Sequence, residues 1–286
     1  MDVFTLYVGQ GALSAVRAGD ECVIVDSYMP NCDDVCQSQI EESLDDYIGN
    51  RRVRGLILTG FDCDHAHAAG VDSILTRYNP DWVMYPKYYK DTETCSDVFS
   101  AIDQHVRRRE GTPKPLNRIS VRVDRVESRY LTDLATHFAF ELFSPHMDDM
   151  DCSNNSSIVL KLSGYDSTGF RYLITGDTET ERWDRINEIF GDALAADVLA
   201  APHHGARTGV NATTLLHVSP HTVHISAGMD NQYGHPAKVA VKVYGRVAQR
   251  VFATNTDGGV CLFTRRIGRD FETHLVCHAE RAAASA

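Results

Sequence analysis

Several short apolar runs in this chain end directly in polar loops rich in Asp and His, and this arrangement limits the possible folds more than any other feature. GLILT (residues 55–59) runs into Asp62-Cys63-Asp64-His65-Ala66-His67, FRYLIT into Gly176-Asp177, DVLAAP into His203-His204-Gly205, and HTVHISAG into a loop closing at Gly234-His235-Pro236. A short apolar run without alternation marks a strand covered on both faces, so a layer must lie above and below it. Helical spacing supplies those layers: Val35, Ile40, Leu44 and Ile48 in one stretch, Trp183, Ile186, Ile189 and Phe190 in another. The opening VFTLYVG, SAVRAG and CVIVDS, split by Gly-rich turns, reads as a β-meander. The class is α/β, built on a repeated unit of strand, polar loop and helix.

Composition removes several alternatives. With 43% hydrophobic and 23% charged residues among 286, the chain is globular, and disorder, collagen and coiled coil are excluded. No apolar run reaches the ~18–20 residues that span a bilayer, and the N-terminus lacks a basic and apolar leader. A soluble, unsecreted, cytoplasmic protein without a membrane partner is expected. The eight cysteines include no CxxC pair, so reduced thiols are expected; Cys32 and Cys36 stand four apart with no second pair to complete a zinc cage. No linker or repeat divides the chain, which predicts one domain over residues 1–286 with a flexible tail at 279–286. Residues 93–129 read as a helix, a Gly-Thr-Pro-Lys-Pro break and a basic strand, expected as an insertion over the site.

The formal charge of -11 argues against broad attraction to nucleic acid. Residues 105–129 depart from that average, with eight Lys and Arg against three Asp and Glu. Such a strip is suited to phosphate contacts with a nucleic acid, or is simply a solvated hairpin. No GxSxG elbow is present, and Gly9-Gln10-Gly11 lacks the later Gly and Lys of a P-loop. Imidazoles and carboxylates at the ends of several strands can converge on one cation such as Zn²⁺, Mn²⁺ or Fe.

The ordered set FTLYVGQG with VIVD, TGFDCDHAHAAG, NNSSIVLKL, LITGDTE, VLAAPHHGARTG and SAGMDNQYGHP through TNTDGGV resembles the metallo-β-lactamase superfamily. Within it, the motifs are most similar to the soluble hydrolase domains of ComEC-type competence proteins. The resemblance implies an αββα four-layer sandwich with a divalent metal centre, Zn or Mn and also Mg, of one or two ions. It implies that Asp64, His65, Asp177 and His204 hold one ion, with Asp177 able to bridge. Asp62, with Asp177 and water, is left for a second ion, and His67, His235 or an acid of the Asp148-Asp149-Met150-Asp151 run are open alternatives to complete it. The family's leading His in the first loop is Gly60 here, so the second position is thinly supplied and suits a hard, oxygen-seeking ion.

These residues define the expected chemistry. A cation lowers the pKa of bound water to about 7. Asp64 and Asp177 would hold that nucleophile, while His203 and His235 would touch a phosphate oxygen or protonate the leaving group. Asn154, Asn155 and Ser156 are expected substrate-binding residues through hydrogen bonds, and Cys63 is expected to pack beneath its loop. Three readings follow: a phosphodiester hydrolase acting as a nuclease on DNA or RNA, with residues 105–129 and a protein partner assisting; a hydrolase of a nucleotide or ester on the same fold; or a catalytically weakened binding subunit, suggested by Gly60.

Overall fold

The computed structural model describes residues 1–31, 35–147, 153–165 and 169–278; Cys32, the Asp148–Asp151 run, Cys152 and the Ala-rich tail from residue 279 lie outside them. The chain opens with β1 (Asp2–Thr5), β2 (Ser14–Ala18) and β3 (Glu21–Val25). It then alternates α1 (Gln37–Ile48), β4 (Arg52–Ile57), α2 (Ala68–Tyr78), β5 (Trp82–Pro86), α3 (Glu93–Arg109) and β6 (Asn117–Val121). Four strands follow: β7 (Tyr130–Leu131), β8 (Phe138–Ser144), β9 (Val159–Gly164) and β10 (Arg171–Ile174). A second alternation comprises α4 (Thr180–Phe190), β11 (Val198–Ala200), α5 (Ala212–Val218), β12 (Thr222–Ile225), α6 (Lys238–Val247) and β13 (Arg250–Ala253). The chain returns to the first sheet with β14 (Cys261–Ile267) and β15 (Asp270–Val276).

Two sheets result, ordered β15-β14-β1-β2-β3-β4-β5-β6 and β13-β12-β11-β10-β9-β8-β7. Each is antiparallel on one side and parallel on the other, with the change at β3 in the first sheet and at β10 in the second. Parallel neighbours need a crossover, and a helix supplies each one: α1, α2 and α3 in the first sheet, α4, α5 and α6 in the second.

Strand alternation shows how the layers stack. In β3, Cys22 and Ile24 pack with α1–α3 residues such as Leu44, Ile74 and Ile102, whereas Val23 and Val25 turn towards the second sheet with Phe138, Leu160 and Tyr172. The cluster between the sheets continues to Trp183, Ile186, Leu215 and Tyr244 on α4, α5 and α6. The order is helix, sheet, sheet, helix, the αββα sandwich expected from the sequence.

Residues 93–129 are not an insertion over the site. Helix α3 buries Cys95, Val98 and Ile102 in the outer core, and β6 is the edge strand beside β5. The apolar spacing on α3 matches a helix that covers a sheet, a signal outweighed in the sequence by the Pro-rich break and the charges. Many of those charges are paired within the structure: Arg118 with Asp103, Arg122 with Asp124, Arg129 with Glu141 and Lys114 with Asp81. Among the described residues no helix is long and apolar enough to cross a membrane.

Helix α2 presses on the turn that follows β3, and Gly70 makes this possible. A Cβ on Gly70 would lie 1.8 Å from the Ser27 carbonyl oxygen, far inside contact distance. Gly70→Ala is therefore expected to cost at least ~1–3 kcal/mol, because helix and turn are both backbone and must move apart. Thermal unfolding against the unmodified protein checks this; an unchanged melting temperature would show that α2 is not seated on the turn.

Candidate metal centre

The C-terminal ends of the parallel strands in both sheets meet along one edge, as ligands do in α/β folds. Asp26 follows β3, Asp64 and His65 follow β4, Asp177 follows β10, and His204 follows β11. Asp64, His65, Asp177 and His204 each offer one ligand atom, and the four atoms lie within 4.8 Å of one another. Three of the four side chains come from residues that are at most 6% exposed.

Hydrogen bonds set which nitrogen of each ring faces the centre. The Asp26 carboxylate accepts from the Thr59 amide at 2.7 Å and the Thr59 hydroxyl at 2.9 Å, and its Oδ2 lies 2.9 Å from His65 Nδ1. A carboxylate can only accept, so Nδ1 donates to Asp26, and His65 Nε2, turned to Asp177 Oδ1 at 2.8 Å, is the nitrogen at which an ion would take the place of a proton. His204 repeats the arrangement: Nδ1 donates to the Ser226 carbonyl at 2.9 Å and turns Nε2 inward. That Nε2 is buried without a hydrogen-bond partner, although Asp64 Oδ2 is 3.3 Å and Asp177 Oδ1 3.7 Å away.

These features fit a divalent ion. With bonds of ~2.0–2.1 Å, tetrahedral donors stand roughly 3.3 Å apart, and the observed separations of 2.8, 3.3 and 3.7 Å bracket that value. A buried ring nitrogen aimed between two carboxylates without a well-formed hydrogen bond is what a ligand nitrogen leaves behind. The Asp26–His65 contact is the carboxylate support typical of metal-bound imidazoles. Two nitrogens and two carboxylate oxygens suit borderline and hard divalent ions alike.

The charges are strongly interdependent. Burial alone would lower the His65 imidazolium, but Asp177 and Asp26 outweigh it and raise His65 well above its ordinary value. Burial would likewise raise Asp177, yet His65 and His204 hold it well below the usual carboxylate range. Asp64 follows the same pattern, lowered by His204 and His65 against its burial, and His204 is raised by Asp177 and Asp64.

The loop that carries His204 is strained. His203, His204 and Gly205 have φ of 51°, 54° and 75°, three left-handed residues in succession. Non-Gly residues there cost on the order of 1–3 kcal/mol each, so the surroundings must hold them. The His203 amide donates to the Gly176 carbonyl at 3.0 Å, and the Gly205 carbonyl accepts from Ala237 at 2.9 Å. The turn thereby aims His204 inward and leaves His203 on the rim.

An open cleft of about 390 Å³ lies over the centre, lined in part by Gln10, Tyr28, Asn154, His203, Tyr233 and His235. The His203 and His235 rings are 5.8 Å apart, and His235 stacks on Tyr233 at 5.7 Å. Burial first, then the neighbouring His203 and His204, lower the His235 imidazolium, which keeps that ring neutral near neutral pH. Glu179 Oε1 is 3.4 Å from His203 Nδ1.

Several expected residues stand elsewhere. Asp62 lines the cleft but is outside the four-donor group: Lys90 forms an ion pair with its Oδ1, and the Ser153 hydroxyl donates to Oδ2 at 2.7 Å. Asn154 reaches the cleft, whereas Asn155 Oδ1 accepts from the Glu179 amide at 3.1 Å and Ser156 is buried at 1% exposure. Those two shape the loop rather than line the cleft. Cys63 is exposed on the cleft wall, not packed beneath the loop, because the turn at 62–65 points it outward. His67 precedes α2 and packs edge-on against Tyr28, outside the donor group.

Asp26, Ser226 and Lys90 support the donor group or Asp62 and were not singled out in the sequence, whereas Thr59 belongs to the first-loop motif. Asp26 had a signal, since it ends an apolar strand as the other polar loops do. His224, on the apolar run before Ser226, is a core histidine: its nitrogens meet Thr5 Oγ1 at 2.9 Å and Thr264 Oγ1 at 2.7 Å.

Comparisons with known proteins follow the same lines. No protein-family model matches the chain. In sequence it is similar to ComE operon protein 3 of Bacillus subtilis (strain 168), 28% identical over 212 residues, which is 74% of this chain. The chain spans about a quarter of that curated relative's length, the matched part being 25%. In structure it is similar to Igni18, described as a novel metallo hydrolase from the archaeon Ignicoccus hospitalis, with TM-score 0.53 and 15% identity over 93% of this chain and 100% of that one. A diphosphatase of the PhnP family superposes with TM-score 0.49 and 10% identity over 96% of this chain and 100% of that one.

Two measurements test the centre. Asp26→Asn replaces the charged acceptor at His65 Nδ1 with a neutral amide and is expected to weaken Mn²⁺ binding about 10–100-fold while the fold is retained, as read by equilibrium dialysis. In the metal-free protein, His65 contributes stability that is complete below its ordinary value of 6.5 and is lost as pH rises through its raised value. Asp177 works in the opposite direction: its contribution is present above its ordinary 3.8 and lost as pH falls through the lowered value. Chelated protein should therefore melt at progressively lower temperature as pH rises above 6.5, and saturating Mn²⁺ should remove the decline because the ion replaces the proton. Parallel slopes with and without Mn²⁺ would contradict the arrangement. Layer order, strand connectivity and sequence likeness together give this chain the metallo-β-lactamase fold and a resemblance to ComEC-type competence proteins.

Proposed function

We propose that the protein is a metal-dependent hydrolase of phosphodiesters that acts as a nuclease on single strands or ends of DNA or RNA. The observation that carries this reading is the convergence of Asp64, His65, Asp177 and the unpartnered His204 Nε2 on the floor of an open, polar cleft. A divalent ion held there would supply Lewis acidity and acidify a water to near neutrality. Asp64 and Asp177 would orient that water and carry the negative charge that balances the ion. His235, kept neutral, can accept a proton from the attacking water or a relay of it. His203 is oriented through Nδ1 by Glu179, so Nε2 is the ring atom left to meet a substrate oxygen.

Preference for short or single-stranded substrates follows from charge. The net charge is -11, and the pairs Arg118–Asp103, Arg122–Asp124 and Arg129–Glu141 occupy three of the eight basic residues of the strip at 105–129. A long duplex relies on many unpaired cations, whereas a single strand can be held by stacking and a few contacts. The same ion pairs favour a second reading, a hydrolase of a nucleotide or other small ester. A weakened binding subunit has less support, because the four-donor group is whole despite Gly60.

The test is cleavage of labelled single-stranded and duplex oligonucleotides and of bis-p-nitrophenyl phosphate by protein reconstituted with Mn²⁺ or Zn²⁺. Single strands should be cut faster than duplexes, and Asp64→Ala or His204→Ala should lower turnover about 100-fold or more. Turnover of the nitrophenyl ester that is inhibited by mononucleotides but not by oligonucleotides would favour the small-molecule reading. Absence of P–O cleavage from every substrate would overturn both.

A further inference from the structure

We infer that the centre is built for one ion and that the Lys90 ammonium, bound to Asp62, takes the place of a second cation and presents a fixed positive charge to a substrate phosphate. The contact with phosphate rests on the function proposed above; the ion count does not.

Three observations converge on this. Both oxygens of Asp62 are engaged, Oδ1 by Lys90 Nζ and Oδ2 by the Ser153 hydroxyl at 2.7 Å, so a second ion using this carboxylate would have to displace an ammonium that already neutralises it. Gly60, two residues earlier, brings no ligand, and a Cβ there would have Ser157 Oγ as its nearest neighbour, at 3.9 Å. The space beside Asp62 that a second ligand would fill thus holds no side chain from Gly60. Third, among the described residues that could gather round a metal, the group contains Asp64, His65, Asp177 and His204, and not Asp62.

Lys90 is also held in position. It lies on the loop between β5 and α3, where its carbonyl accepts from the Thr92 amide at 2.8 Å and Thr92 caps α3 by accepting from the Cys95 amide. Its side chain is 27% exposed and its ammonium meets Asp62, which lines the cleft, so the charge lies beside the cleft wall with solvent access. An ammonium carries three donors, and Asp62 takes one; the others can meet phosphate oxygens as a point charge. A lysine side chain is cationic at neutral pH, and the ion pair with Asp62 keeps that charge beside the centre. A lysine cannot acidify water, so it supplies charge for an anionic substrate without a second hydrolytic ion.

Mn²⁺ binding to the full chain, counted by equilibrium dialysis and electron paramagnetic resonance, gives the first readout. One uncoupled ion per chain at saturation is expected; two ions with a spin-coupled signal in the unmodified chain would overturn the inference. Titration of inorganic phosphate into the Mn²⁺-loaded protein gives the second. Lys90→Met should weaken phosphate about ten-fold or more with the ion count still one, and Lys90→Arg should restore most of the affinity. Unchanged phosphate affinity in Lys90→Met would remove the role assigned to the ammonium. If Lys90→Met does not fold, as judged by circular dichroism, Lys90→Gln takes its place, and the ion count in the unmodified chain needs no variant. If no phosphodiester is cleaved but one ion binds and Lys90→Met loses phosphate, the proposed function fails and this inference stands.

Discussion

His65 carries a carboxylate on each ring nitrogen, Asp26 on its own sheet and Asp177 on the facing sheet, and this buried chain determines how the two halves of the molecule meet. Three ionisable groups at 3–6% exposure would be costly if unpaired. Thr59 completes the Asp26 end through its amide and hydroxyl, and the Ser157 hydroxyl accepts from the Asp177 amide at 3.0 Å at the other. Shifting one sheet along the other would break the chain and leave charge in the core. The apolar contacts between Val23, Val25, Leu160 and Tyr172 supply the attraction between the sheets but tolerate sliding; the polar chain does not.

The location of the centre follows from strand direction. Because β3–β6 and β10–β13 are parallel sets, their loops leave from common ends, and each loop that closes a crossover can carry a ligand without disturbing the sheet. Backbone strain at His203 and His204 is concentrated in one such loop, where neighbouring carbonyls and amides hold it. A relaxed turn would point His204 elsewhere. The tight seat of α2 on the Ser27 turn has the same consequence for Asp26, since turn and carboxylate move together.

Charge is distributed unevenly round the centre. Asp64 and Asp177 set two carboxylates against the His65 and His204 rings on the cleft floor, while Lys90 offsets Asp62 and His203 and His235 line the rim. The basic strip at 105–129 contributes less than its composition suggests, because Arg118, Arg122 and Arg129 are paired with acids. Arg118 with Asp103 and Arg129 with Glu141 hold edge strands in place.

Much of the fold was legible in the patterning of the chain, and the four residues that gather at the centre were legible through its resemblance to the metallo-β-lactamase superfamily. Apolar runs at residues 55–59, FRYLIT and DVLAAP mark buried strands, and the polar residues that follow them, Asp64, His65, Asp177 and His204, fall at strand ends wherever the strands lie. Periodicity also determines which residues face inward, and so the number of layers. It carries no information about which distant loops touch. The pairing of Asp26 with His65, of Ser226 with His204, and of Lys90 with Asp62 joins residues 39, 22 and 28 apart, respectively, and depends on loop paths that local pattern does not encode. Cys63 turned outward and α3 turned into the core for the same reason: orientation is settled by what packs on the opposite side. Hydrophobic rhythm therefore decided the elements and their exposed ends, whereas the partners of each buried charge were decided only when the two sheets closed and every polar atom inside had to be satisfied.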